Sequence, residues 1–120
     1  FRMKVIIAGS RTFNNFQLLI KHIMLFQEQI GEITEVVSGT ARGADKLGEQ
    51  WAIDSETPIK RFPANWNKHG RSAGYRRNEE MAEYADALIA FQENNSKGTE
   101  HMINIATNKG LPCYIVRISR

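Results

Sequence analysis

The sequence predicts an α/β fold, a doubly wound, mostly parallel five-stranded sheet with helices on both faces. Two observations predict it. Short apolar runs alternate with stretches of helical periodicity along the whole chain, the pattern of successive βαβ units. The loops richest in small and polar residues follow strands, whereas the helix-to-strand loops IGEI, SET and KGL carry no comparable density. Right-handed crossovers make such a chain doubly wound. At 120 residues a single domain over 1–120 is expected, able to bury about two thirds of its unfolded surface without a disulfide or metal.

Taken in order, KVIIA (4–8) is a short apolar run ending at Gly9 and reads as a buried strand. A helix follows, with Phe16, Leu19, Ile20, Ile23, Phe26 and Ile30 on one face. Asn14 with Gln17 resembles a capping box at its start, and Gly31 stops it. TEVVS (34–38) is the second strand. After the glycines, Ala44, Leu47, Trp51 and Ala52 recur at helical spacing. PIKRF (58–62) is an amphipathic third strand, and NWNKHGRSAG (65–74) reads as a loop. A helix runs from Arg76 to about Ala85, with Met81, Tyr84 and Ala85 inward. ADALIAF (85–91) holds the fourth strand, Thr99 to about Lys109 a last helix, and PCYIVRI (112–118) the fifth strand.

Composition narrows the class. Hydrophobic residues are 42% and charged residues 24%, which argues against a disordered chain. The single cysteine, Cys113, lies in the apolar run CYIV and has no partner for an intramolecular disulfide. It reads as a buried core thiol in a reducing, cytoplasmic setting. No apolar run approaches the ~20 residues of a membrane span, and no signal peptide precedes MKVIIAG, so no membrane role is expected. Phe1 and Arg2, ahead of Met3, read as a remnant foreign to the natural start. His22, His69 and His101 have no metal-ligand spacing, so neither a metal nor a cofactor is expected. Net charge is +3, but its placement says more. Six Lys/Arg and no Asp/Glu lie between Lys60 and Asn78, leaving ten basic against thirteen acidic residues elsewhere. A local patch points to an anionic ligand or partner.

In a doubly wound sheet, ligands bind beyond the carboxyl ends of the strands. Three strand-to-helix loops open there: GSRTFNN (9–15), SGTARGAD (38–45) and ENNSKGT (93–99). They nominate Gly9, Ser10, Arg11, Ser38, Gly39, Thr40, Gly43, Ala44, Asp45, Lys97, Gly98 and Thr99 as ligand-binding residues. A helix N-terminus offers unpaired N–H groups and a partial positive charge to a phosphate or carboxylate. Gly39 and Gly43 remove the Cβ atoms that would hold a ligand away, and Ser38 and Thr40 add hydroxyls. The same stretch also reads as a tight turn with glycines at positive φ and Asp45 balancing the helix dipole. It matches neither the P-loop nor the G-x-G-x-x-G pattern. GRSAGYRRNEEM (70–81) adds Arg71, Arg77 and Asn78 at a loop-to-helix junction, where guanidinium groups can pair bidentately with phosphate. Trp66 and Tyr75 are candidates to face a base or ribose.

Taken together, IIAGSRTF, VVSGTARGAD, NWNKHGRSAGYRRNEEM, ADALIAF and SKGTEHMI resemble the YspA-like proteins of the SLOG superfamily, whose domains are Rossmann-like. The resemblance spans almost the whole chain, in order. It implies binding or sensing of a nucleotide or nucleotide-derived phosphorylated small molecule on the edge already picked out. The superfamily also contains LOG-type nucleotide phosphoribohydrolases and the DNA-processing protein A fold. An N-glycosidic hydrolase and a DNA-binding protein therefore stand as alternatives, nucleic acid stays an open partner, and association into a homo-oligomer is left open. Arg77 and Met81 match the spacing of the LOG arginine and methionine. Gly98 and Thr99 match the G-T of G-G-x-G-T-x-x-E, but Met102 stands where that motif has its glutamate. A carboxylate is needed against the ribose or the developing oxocarbenium ion. Glu100 or Asp45 would have to supply it, and Glu100 is turned about 200° from the motif position.

Overall fold

The computed structural model describes residues 2–119. Phe1, read above as foreign, lies outside the described residues. The strands are β1 (Arg2–Gly9), β2 (Glu32–Ser38), β3 (Ile59–Arg61), β4 (Ala87–Glu93) and β5 (Cys113–Ile118). They form one sheet in the order β3-β2-β1-β4-β5, and every ladder is parallel. The helices are α1 (Phe16–Gln29), α2 (Ala44–Asp54), the single turn α3 (Trp66–His69), α4 (Ala73–Tyr84) and α5 (Lys97–Asn108).

The period-2 alternation of the strands divides the core in two. Val5, Ile7, Val36, Ile89 and Phe91 face one way and pack with Leu19, Ile23, Phe26 and Ala52 of α1 and α2. Ile6, Ala8, Val37, Leu88 and Ala90 face the other way and pack with Met81, Ala82, Met102, Ile103 and Ala106 of α4 and α5. All seven residues of β4 are buried, as a strand paired and covered on every side must be. The chain runs outward from β1 through β2 to β3, then returns to β4 on the opposite side of β1. The order reverses between β1 and β4, the place where sheets of this kind open a crevice at the carboxyl ends of their strands.

Local expectations need five corrections. The cap of α1 is Asn15, whose side chain accepts the Leu18 N–H at 3.0 Å; the predicted box from Asn14 is one residue out. Residues 65–74 are not a plain loop. Asn65 caps α3 by accepting the Lys68 N–H at 3.1 Å, Gly70 (φ 55) breaks the turn, and a 3₁₀ turn over Gly70–Ser72 leads into α4. Consequently α4 begins at Ala73, a turn earlier than Arg76. Separately, α5 begins at Lys97, two residues before Thr99. Cys113 is half-buried, with its Sγ 3.3 Å from the Leu111 carbonyl. Because β5 lies at the sheet edge, no neighbouring strand covers its outer side. Among the described residues no helix is long and apolar enough to cross a membrane.

Candidate functional site

A cavity of about 440 Å³ opens at the carboxyl ends of β1 and β4, within the usual range for small-molecule pockets. The last residue of β1, Gly9, and the β1–α1 loop with Ser10, Arg11 and Thr12 supply its floor. Ala41 comes from the β2–α2 connection and Asp45 from the first turn of α2, Trp66 and Arg71 from the segment before α4, and Tyr75, Arg77 and Asn78 from α4 itself. Ser96, Gly98 and Thr99 form the α5 wall.

Backbone and hydroxyl contacts stitch the floor together. The Ser10 N–H donates to the Phe91 carbonyl at 2.9 Å, while the Ser10 carbonyl accepts the N–H groups of Phe13 (3.1 Å) and Ala44 (3.3 Å). Ser10 Oγ accepts the Glu93 N–H at 2.7 Å and lies 2.7 Å from Ser96 Oγ. Ser96 Oγ in turn donates to Thr99 Oγ1 at 2.9 Å, and Thr12 Oγ1 donates to Glu93 Oε1 at 2.5 Å. The N-cap Ser96 makes no side-chain capping bond. The first-turn N–H groups of α5 therefore keep their hydrogen-bonding capacity and their partial positive charge. A Cβ placed on Gly98 would meet nothing within 4 Å.

The bare β2–α2 loop serves the protein's own packing. At Gly43 (φ 83) an added Cβ would stand 2.3 Å from the Ser10 carbonyl oxygen, so only glycine allows the two loops to cross here. At Gly39 it would stand 2.7 Å from Arg77 Nη1 and 2.8 Å from Asp45 Oδ2. The space that sequence reasoning reserved for a ligand at these glycines is filled from within. Ala44 N–H is spent on Ser10, which occupies the α2 opening. Ser38 is fully buried; its Oγ donates to Glu49 Oε2 at 2.6 Å and accepts the Thr40 N–H at 3.1 Å.

Two charges meet beside Gly39. Arg77 donates from Nε to Asn78 Oδ1 at 3.1 Å and from Nη1 to the Gly39 carbonyl. Burial lowers its pKa from the ordinary arginine value, and the nearby Asp45 opposes that shift. Asp45 is 5% exposed and accepts the Ala41 N–H at 3.3 Å. Burial raises its carboxyl to about 6, against the pull of the Arg77 guanidinium and the Ala41 N–H, while Glu49 adds to the rise. On the opposite wall, Asn78 Nδ2 donates to the Gly98 carbonyl at 3.4 Å and lies 3.1 Å from His101 Nδ1. The Tyr75 ring lies 4.1 Å from that imidazole, tilted by 32°. Trp66 and Tyr75 are 51% and 45% exposed, so both present open ring surface at the rim.

Of the residues nominated from sequence, the cavity brings together Gly9, Ser10, Arg11, Asp45, Arg71, Arg77, Asn78, Gly98 and Thr99. Ser38, Gly39, Thr40, Gly43, Ala44 and Lys97 are not part of its wall. Glu100 is also outside it, its Oε1 accepting Gln92 Nε2 at 2.9 Å. Sequence reasoning missed Thr12, Ala41 and Ser96. Ser96 had a usable signal, a cap-type residue directly before the small-residue helix start KGT.

The family model for the YspA, cpYpsA-related SLOG family matches residues 3–69, more than half of the chain. The chain belongs to this family. The Gene 61 protein of Mycobacterium phage D29 is 34% identical over 118 residues, an alignment covering 91% of this chain and 92% of the phage protein. No solved structure matches significantly. In this SLOG chain the family-matched stretch contributes β1, β2 and the Asp45 wall. Arg71, Arg77, Ser96 and Thr99 lie beyond it.

Proposed function

We propose that this SLOG protein binds or senses a nucleotide-derived phosphorylated small molecule in the cavity between β1 and β4. The observation that carries the reading is the convergence of three arginines, Arg11, Arg71 and Arg77, with the uncapped opening of α5 on one hollow that also bears two aromatic rings. Guanidinium groups and helix N-terminal N–H groups are the two protein devices best matched to phosphate oxygens. The half-exposed rings of Trp66 and Tyr75 offer a base a flat apolar surface. A panel of nucleoside mono- and diphosphates, screened by thermal shift, tests this. At least one should raise the melting temperature by several degrees at millimolar concentration, and Arg71→Ala should abolish the rise. A panel without any response sinks the reading.

One observation favours a second reading, an N-glycosidic hydrolase. Asp45 is a buried carboxylate on the cavity wall whose pKa is raised to about 6, suited to giving a proton to a departing base while water attacks the anomeric carbon. Incubation with nucleoside monophosphates should then release free base, and Asp45→Asn should lower the rate by at least about 100-fold. No base after prolonged incubation removes this reading and leaves the first intact.

A further inference from the structure

The carboxylate of Asp45 is at odds with a cavity built for anions. Among the described residues it is the one acidic side chain on a wall that carries three arginines and five hydroxyls. It is 5% exposed, so water cannot screen it well. Among the described residues no cation comes within ion-pair distance of it. The charged groups around it can be named element by element. Arg77 comes from α4 and itself feels Arg11 from the β1–α1 loop. Glu49 lies one turn further along α2 and is held by Arg61 of β3 at 3.1 Å. Glu93, at the end of β4, is engaged by Thr12. Arg77 is partly committed elsewhere, to the Gly39 carbonyl and to Asn78.

We infer that the cavity takes up an anion together with a proton, and that Asp45 is where the proton goes. The inference rests on the reading of the cavity as a phosphate seat. An entering phosphate would compete with Asp45 for the field of Arg77 and would place a second negative charge beside a carboxylate that is already poorly solvated. Like charges at short range in a water-poor site disfavour double ionisation, so one of the two takes a proton. Asp45 is predisposed to do so, because burial already holds its carboxyl well above the usual range. Neutral Asp45 still accepts the Ala41 N–H through its carbonyl oxygen and gains a hydroxyl that can donate to a ligand oxygen. The seat is thereby selective as well as pH-dependent, because a ligand presenting a hydrogen-bond acceptor to Asp45 is favoured as the pH falls.

The test uses the whole protein with two probes, sulfate, which does not titrate between pH 5.5 and 8.5, and adenosine 5′-monophosphate. Affinity is measured by calorimetry at pH 6 and pH 8, in buffers of different ionisation enthalpy. Wild type should bind roughly tenfold more tightly at pH 6 and take up a fraction of a proton at neutral pH. Asp45→Asn should bind sulfate equally well at both pH values. As a check that needs no variant, the carboxyl carbon resonance of Asp45 should titrate at a higher pH with sulfate bound than without. Binding whose pH dependence survives Asp45→Asn, or a carboxyl midpoint unmoved by sulfate, overturns the inference while leaving the phosphate seat standing. Absence of binding by either probe at both pH values overturns the seat and the inference with it.

Discussion

A buried carboxylate without an ion-pair partner works against folding when it is ionised, and Asp45 is such a group. Its carboxyl sits at about 6 in the fold, against an ordinary value of 3.8. Below the ordinary value it is neutral in both folded and unfolded chains, and stability is undiminished. As pH rises from 3.8 through 6 the unfolded chain gives up this proton while the folded protein still holds it, so stability falls across that interval by about 3 kcal/mol at most and levels off above it. Asp45→Asn keeps an acceptor for the Ala41 N–H and removes the charge. It should stabilise the unliganded protein by about 1–3 kcal/mol at pH 7.5 and by almost nothing near pH 4. Chemical denaturation at both pH values checks this; an equal gain at the two would show that charge is not the cause. Asp45 was visible in the sequence as an acid in a first helical turn. Its burial was not, because that depends on Arg77 and on the loop of β1, which come from distant parts of the chain.

At the scale of elements, the β2–α2 loop contains two glycines that do different work. Gly43 holds a positive φ against the backbone of Ser10 and Arg11. Gly43→Ala should cost about 2–4 kcal/mol, read as a lowered melting temperature, because backbone cannot move aside cheaply. At Gly39 the nearest atoms belong to the tips of the Arg77 and Asp45 side chains, which can swing away. Gly39→Ala should therefore cost less than about 1.5 kcal/mol yet weaken phosphate binding by dislodging Arg77. Similar losses of stability in the two variants would contradict this division. The alternation of strands and helices was fully legible, since it is written in local periodicity. The segment 65–74 was not. Its Asn, Gly and Ser content reads as loop, and helicity there depends on the Asn65 cap and on the Gly70 break, each set by one residue's dihedral angles. The distinction between a glycine that admits a ligand and one that admits an arginine was likewise illegible, because the sequence does not reveal which side chain arrives.

For the molecule as a whole, the basic run between Lys60 and Asn78 does not survive as a single patch. Arg61 pairs with Glu49, and the Lys60 ammonium lies 5.7 Å from the centre of the Phe62 ring. Arg76 donates to Ser72 Oγ beside the acidic row of Glu79, Glu80 and Glu83. Only Arg71 and Arg77 of the six reach the cavity. A duplex needs a continuous stripe of cations, so retention on immobilised duplex DNA should be lost by ~200 mM salt. Retention beyond that would restore the nucleic-acid alternative. The Phe13–Phe91 stack, with ring centres 4.9 Å apart and planes 18° from parallel, has a mechanical consequence for the hollow in front of it. It clamps the end of β1 to β4 from behind, through a fully buried core. The α3 turn and the 3₁₀ turn opposite bury no residue at all. The hollow thus has one jaw cast into the core and another resting on the surface. If the proposed ligand binds there, fine adjustment to its shape would fall to the second jaw, which holds Trp66 and Arg71.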